Sequence, residues 1–158
     1  MDIAGEQEPD YKSARVESVG FIDPYGIEGM AVLKSDDGKE FHIKAFSGEV
    51  ARYIACIVEG ESGADEASAL PLVYNMVSEI CEESELVLVK VKVYQSGSVL
   101  RANLYLTGRK DVVLKNYRAS DAITLATLYK IPILVRKNLL KSHEEIEREL
   151  SKPSSSSH

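Results

Sequence analysis

The segment 86–117 most constrains the fold, because apolar and polar residues alternate through three successive runs, LVLVKVKVY, VLRANLYLT and DVVLKNY. Short turns rich in Gly and Ser or basic residues, at 96–98 and 108–110, separate these runs. Successive side chains of a β-strand point to opposite faces of a sheet, so a period of two predicts a strand with one face on the core. The segment therefore predicts three consecutive antiparallel strands, and it excludes an all-helical fold.

The remainder of the chain predicts three more strands near the N-terminus, helices with apolar residues at a spacing of three and four, and one short buried strand. The predicted strands are 14–22, 28–35, 39–46, 86–94, 99–107, 111–117 and 131–136, and the predicted helices are 48–59, 71–83, about 120–130 and a short charged one beginning near 142. This order indicates an α+β fold, an antiparallel or mixed sheet built from two three-strand meanders with helices packed on one face.

The length of 158 residues, with 44% hydrophobic and 28% charged residues, is typical of one soluble globular domain. We expect an acidic N-terminal arm over 1–11, a folded domain over 12–140, and a short charged helix with a disordered Ser-rich tail over 141–158. No apolar run approaches the roughly 20 residues of a membrane span, and the N-terminus lacks the pattern of a signal peptide. The sequence therefore predicts a cytoplasmic protein without a membrane partner.

The net charge of −6 argues against indiscriminate binding of polyanions. The charged residues are, however, unevenly distributed along the chain. Residues 59–85 contain eight acidic residues and no basic one, whereas 86–118 contain seven basic residues and one acidic one. Any anion-binding surface is therefore expected in the second half of the chain.

The polar face of the three-strand segment interleaves basic and aromatic residues, a composition suited to phosphates and stacked bases. Strict alternation places Val89, Val91 and Val93 together on the apolar face and Tyr117 on the polar face. The candidate nucleic-acid-binding residues on the polar face are Lys90, Lys92, Arg101, Tyr105 and Lys115. A solvated sheet face and a subunit interface are alternative interpretations of the same pattern. Because a sheet of this kind leaves edges and a Tyr-rich face to cover, we also expect a homo-oligomer.

The stretch RASDAITLA at 118–126 places a base, a hydroxyl and a carboxylate within four residues, immediately before an apolar run. Its spacing predicts a helix start with Ser120 as the N-cap and Asp121 in the first turn, where a carboxylate favours the helix dipole. Arg118 lies two residues before Ser120, where its side chain can reach a neighbouring carboxylate. Asp121 and Glu49 are also oxygen ligands of the type that Mg²⁺ or Mn²⁺ prefers, with solvated helix carboxylates as the alternative.

The segment RASDAITLATLYKIPILV resembles the bifunctional nuclease family, whose members act on DNA and RNA. Members typically read R-P-S-D-A-hydrophobic-x-hydrophobic-A, followed by x-x-P-I-hydrophobic-V. The residues of this chain that match are Arg118, Ser120, Asp121, Ala122, Pro132, Ile133 and Val135, with Ala119 in place of the usual proline. Two further segments, 41–60 and 70–80, fit the family's strand-then-helix segment and its next helix, with Glu49 at the position of the family's helix acid.

The chain departs from the family around Pro71-Leu72. Members commonly have Arg before that proline and Thr-His-Asp after the Pro-Leu pair, whereas this chain has Leu70 and then Val73, Tyr74 and Asn75. The histidine and the carboxylate of that segment are therefore absent here, and Asn75 retains hydrogen-bonding capacity alone.

The resemblance implies a divalent-metal-assisted nuclease that cleaves DNA or RNA phosphodiesters with Mg²⁺ or Mn²⁺. We expect Asp121, Glu49, Arg118 and Ser120 to form its reaction site. Asp121 and Glu49 would hold the metal or the attacking water, and Arg118 would hold the phosphate. A non-catalytic binding or regulatory module on the same fold, oligomeric and with the RASDA motif in a structural role, is the alternative.

Overall fold

The structure, a computed structural model, describes residues 9–59 and 73–151. These residues form seven strands and four α-helices, which confirms the α+β class. In chain order they are β1 (Tyr11–Phe21), β2 (Glu28–Ser35), β3 (Glu40–Ser47), α1 (Gly48–Glu59), α2 (Val73–Glu83), β4 (Val87–Ser96), β5 (Val99–Thr107), β6 (Val112–Arg118), α3 (Ala119–Tyr129), β7 (Ile133–Arg136) and α4 (His143–Ser151). The predictions of an acidic arm and a disordered tail fall largely on 1–8 and 152–158, which lie outside the described residues.

The seven strands form one mixed sheet in the order β3-β2-β1-β7-β4-β5-β6. All neighbours are antiparallel except β4 and β7, which run parallel. The four-residue strand β7 lies in the centre, where it pairs with β1 on one side and with β4 on the other. Pro132 immediately precedes β7, and its carbonyl accepts a hydrogen bond from the Val91 N–H over 3.3 Å. A proline outside the strand removes no donor from the ladder, so it is compatible with a central strand.

Helices α1 and α3 pack against the sheet and contact each other. The core beneath them is mainly aliphatic. Its most deeply buried large residues include Leu33, Ile54, Leu88, Val91, Val93, Ile123 and Val135, each at most 2% exposed. The first two turns of α3 are buried from Ala122 to Ala126, so this helix is fixed against the sheet along much of its length. Within residues 9–59 and 73–151, no helix combines the length and the apolar character that crossing a bilayer requires.

Two register shifts change which side chains face the core. In β4 the pairing shifts between Leu88 and Lys90, so the core contains Leu88, Val91 and Val93. The expected grouping of Val89 with Val91 and Val93 is therefore wrong, because one inserted residue reverses the alternation. In β6 a second shift lets Tyr117 pair with Ala102, which moves Tyr117 to the core face.

The start of α1 depends on a close backbone contact with the β1–β2 turn. The Asp23 carboxylate accepts hydrogen bonds from the backbone N–H groups of Glu28, Ile27 and Tyr25, which hold the pKa of Asp23 below its usual range. The Gly48 N–H then donates to the Ile27 carbonyl over 2.8 Å. A Cβ atom on Gly48 would lie 1.9 Å from the Gly26 carbonyl oxygen, so α1 must begin with glycine.

We predict that Gly48→Ala lowers the free energy of unfolding by about 1–3 kcal/mol, the usual cost of overpacking, because the added methyl group meets backbone atoms that cannot rotate away. Gly20→Ala is the matched control, since a Cβ atom on Gly20 has no heavy atom within 4 Å. Urea unfolding of both variants measures the difference. Equal midpoints for the two variants would contradict the close contact at Gly48.

Candidate functional site

The RASDA motif lies where β6 ends and α3 begins. Arg118 is the last residue of β6 and the N-cap of α3, with extended backbone angles and no side-chain cap hydrogen bond. The prediction that Ser120 caps the helix is wrong, because α3 already begins at Ala119, which is buried in the core. Ser120 is instead the second residue of the helix, and its carbonyl accepts a hydrogen bond from the Thr124 hydroxyl over 2.7 Å.

Two side chains hold the Asp121 carboxylate in one orientation. Arg118 Nε donates to Oδ2 over 3.0 Å, and Arg118 Nη2 donates to Oδ1 over 3.4 Å. The Tyr74 hydroxyl of α2 donates to Oδ1 over 2.6 Å. The Asp121 side chain remains 31% exposed and that of Arg118 73% exposed, so solvent and ligands reach the pair. The ion pair with Asp121 also raises the pKa of Arg118.

Tyr74 is the partner of Asp121 that the sequence did not reveal. Burial raises the pKa of its hydroxyl, and the hydrogen bond to the Asp121 carboxylate raises it further, so Tyr74 stays protonated and donates. It occupies the position where the bifunctional nuclease pattern has histidine, so the chain keeps a hydrogen-bond donor where the family residue is absent. A phenolic O–H donates a hydrogen bond much as an imidazole N–H does, and that equivalence was the available signal.

A second tyrosine supports Tyr74 from α1. The rings of Tyr53 and Tyr74 lie 5.7 Å apart between centroids, at an interplanar angle of 31°. The Tyr53 hydroxyl donates to the Asn75 side-chain oxygen over 3.0 Å. Both tyrosines are buried. Tyr74 thus contacts α1 through the Tyr53 ring and α3 through Asp121, and these contacts fix its position.

Arg118 and Asp121 lie at the mouth of a cavity of about 460 Å³ between the sheet and helices α2 and α3. Aliphatic and aromatic side chains form most of its wall, including Val77, Leu88, Leu104, Leu106, Leu114, Tyr117, Leu125 and Tyr129. Arg118 and Asp121 are its charged members among the described residues. Two larger concavities elsewhere, of about 500 and 730 Å³, contain no residue of the RASDA motif.

The structure does not join Glu49 to this pair. Glu49 is exposed in the first turn of α1, where its N–H donates to the Ser47 hydroxyl over 3.2 Å. No hydrogen bond or ion pair between described residues connects its carboxylate with Asp121 or Arg118. Nor do residues 9–59 and 73–151 contain any group of three or more His, Cys, Asp or Glu side chains that could hold a metal ion.

The predicted nucleic-acid-binding residues all lie on the sheet face opposite the cavity, and they differ in exposure. Lys90, Lys92 and Tyr105 form one cluster on this face. The ammonium groups of Lys90 and Lys92 lie 5.2 and 4.9 Å from the centroid of the Tyr105 ring. Lys90 and Tyr105 are both buried, so their contact belongs to the interior of the sheet face and not to a solvated surface.

The other two predicted residues, Arg101 of β5 and Lys115 of the edge strand β6, lie on this same face, nearer the free edge of the sheet. Arg101 is opposite Arg118 in the β5–β6 ladder and donates from Nη1 to the Asn116 carbonyl over 3.3 Å. Lys115 is exposed beside the register shift of β6, next to Asn116, whose φ of 67° is left-handed. Both therefore lie across the sheet from the cavity, and Arg118 is the basic residue that lines the cavity among the described residues.

We predict that Tyr74→Phe lowers the free energy of unfolding by about 1.5–3 kcal/mol, because it removes a hydrogen bond to a charged group from a mostly buried position. Tyr53→Phe is the control. It removes a hydroxyl that donates to a neutral amide, and we expect a loss of about 0.5–1.5 kcal/mol. Urea unfolding distinguishes them, and a smaller effect for Tyr74→Phe than for Tyr53→Phe would show that Asp121 gains little from this contact.

Comparison with known proteins places the chain in a family. The model of the bifunctional nuclease domain matches residues 32–148, which include the β6–α3 junction, Asp121 and Tyr74. A comparison with curated proteins found no match. Because the domain match covers well over half of the 158 residues, it confirms the resemblance carried by the RASDA motif. The chain belongs to the bifunctional nuclease domain family.

Proposed function

We propose that this protein hydrolyses phosphodiester bonds of DNA or RNA at the Arg118–Asp121 pair. One observation carries the proposal. The carboxylate of the family motif is held by Arg118 and Tyr74 at the mouth of a cavity, and it is still open to solvent. An oriented carboxylate beside an exposed guanidinium provides an acceptor for a proton and a site for a phosphate within one helical turn.

Arg118 supplies the phosphate-binding group. A guanidinium has five N–H donors, and two of the Arg118 nitrogens donate to Asp121. The remaining donors point from a largely exposed side chain and match the oxygens of a phosphodiester. As negative charge grows on those oxygens in the transition state, a fixed cation at hydrogen-bond distance lowers the barrier.

Asp121 supplies the base. A water molecule attacks phosphorus while its proton passes to the Asp121 carboxylate, and the bond to the leaving oxygen breaks as that oxygen takes a proton from solvent. Tyr74 acts as a positioning residue, because its hydroxyl fixes Oδ1 and leaves the other acceptor directions of the carboxylate available.

Metal assistance by Mg²⁺ or Mn²⁺ stays a prediction. The described residues do not fit a preformed metal site, since they bring no three ligands together and both Asp121 oxygens accept hydrogen bonds from protein donors. The proposed steps therefore use the protein's own groups. Activity measured in EDTA and against added Mg²⁺ or Mn²⁺ tests the dependence directly.

A non-catalytic binding or regulatory module is the second candidate. The observation that favours it is the same pairing, because an aspartate that accepts hydrogen bonds from Arg and Tyr donors is also a common way to stabilise a helix start. This candidate predicts that substitution of Asp121 lowers the melting temperature and changes no reaction rate.

We predict that Asp121→Asn lowers the rate of cleavage of single-stranded DNA and RNA by about 10²–10⁴-fold, the usual contribution of a general base. The control is Asp36→Asn, an exposed aspartate of the β2–β3 turn whose carboxylate lies 3.7 Å from Arg15. Both variants are assayed with Mg²⁺, Mn²⁺ or EDTA. Equal rates for wild type and Asp121→Asn would exclude this site, and absence of cleavage in all samples would support the binding module.

A further inference from the structure

We propose that the cavity beside Asp121 binds one unstacked base of a single-stranded nucleic acid, with the backbone of that strand along the β6 edge. This inference rests on the proposed function for the class of ligand, and it adds how the substrate is held. It also requires a single strand or a locally opened duplex, because a base inside a duplex cannot enter a cavity.

The shape and the lining of the cavity suit a flat apolar group with polar edges. Ligand sites are typically concavities of about 300–1,000 Å³ with hydrophobic and aromatic walls and a few polar groups that fix orientation. At about 460 Å³ this cavity falls within that range, and its polar groups include Tyr74, Arg118 and Asp121 near the mouth.

Apolar side chains are left exposed where a base would enter. Tyr117 is 51% exposed and Leu114 39% exposed, although both lie on the core face of β6. Tyr117 immediately precedes Arg118, so a base stacked on its ring would bring the attached phosphate toward the guanidinium. Stacking on an aromatic side chain is the usual way in which proteins hold unpaired bases of any sequence.

The Arg118 guanidinium at the mouth matches the phosphate of the same ligand. Arg101, which pairs with Arg118, and Lys115 lie on the opposite face of the sheet, and no carboxylate among the described residues forms an ion pair with either. The phosphate of a base in the cavity would therefore meet Arg118, and the other two cations would be reached where the backbone passes around the β6 edge. The Asp121 carboxylate can accept a further hydrogen bond beyond those from Arg118 and Tyr74. The N–H groups of a base can donate that bond, whereas the alkyl chain of a fatty acid, another ligand that fits an apolar cavity, cannot.

The test compares a short oligothymidylate with an abasic strand of the same length. Dissociation constants are measured by fluorescence anisotropy in EDTA, with wild type, Leu114→Trp and Val99→Trp. Leu114→Trp fills the mouth of the cavity, whereas Val99→Trp adds the same indole at an exposed strand position, 45% exposed, away from it. We expect wild type and Val99→Trp to bind the oligothymidylate about tenfold or more tightly than the abasic strand, as expected for one stacked base. Leu114→Trp is expected to lose that preference.

Equal affinities of wild type for the two strands, or a preference retained by Leu114→Trp, would overturn the proposal. Methyl NMR of the wild type provides a measurement that needs no variant. Oligothymidylate should shift the methyl signals of Leu104, Leu106 and Ala122, and the abasic strand should not. Palmitate is added in a separate titration. If palmitate shifts these methyl signals and oligothymidylate does not, the cavity binds a lipid and the base is rejected.

The outcomes separate this inference from the proposed function. Cleavage that depends on Asp121, without preference for strands that carry bases, would reject the base site and keep the hydrolase. A base preference without cleavage would keep the site and support the non-catalytic module.

Discussion

The short strand β7 is the constraint on which the rest of the molecule depends. Its four residues pair with β1 and β4 and so join the two antiparallel parts of the sheet. The chain reaches β7 from β6, at the far edge of the sheet, through α3. This crossover forces α3 to lie over β4 and β5, where apolar residues bury it, and its first turn must then emerge beside β6. The position of Asp121 therefore follows from a strand that takes no part in the site.

The helix start at this junction is unusual because its polar residues do not cap it. The sequence of Arg118, Ser120 and Asp121 predicted a cap, and the strand continues instead straight into the helix at Ala119. The Asp121 carboxylate therefore does not cap the helix, and it accepts hydrogen bonds from Arg118 and from Tyr74 on α2. A carboxylate with such partners stays oriented while it stays accessible, which a capping carboxylate does not. The motif is therefore better explained by the orientation of Asp121 than by helix stability alone.

The sequence predicted the elements well and the pairings between distant residues poorly. Periods of two and of three to four identified the strands and helices because burial imposes those periods directly. The inserted residues in β4 and β6 depend on the opposing strand, so alternation alone assigned Val89 and Tyr117 to the wrong faces. The hydrogen bond from Tyr74 to Asp121 joins positions 47 residues apart, and no local pattern reveals it. Its one local sign was a tyrosine where the family pattern has histidine.

The contacts and burial of the basic residues change how the charge pattern of the sequence is interpreted. Lys90 and Lys92 contact the ring of Tyr105, and burial of Lys90 and Tyr105 makes this a contact of the sheet itself. An ammonium group over an aromatic face gains electrostatic stabilisation there, so these lysines have a structural reason to follow the strand period. Arg101, Lys115 and Arg118 have no such use for their full charge, because Asp121 is the one carboxylate among the described residues that pairs with any of them. The positive charge that remains for a polyanion therefore lies near the β6 edge, with Arg118 next to the oriented carboxylate and with Arg101 and Lys115 on the opposite face of the sheet.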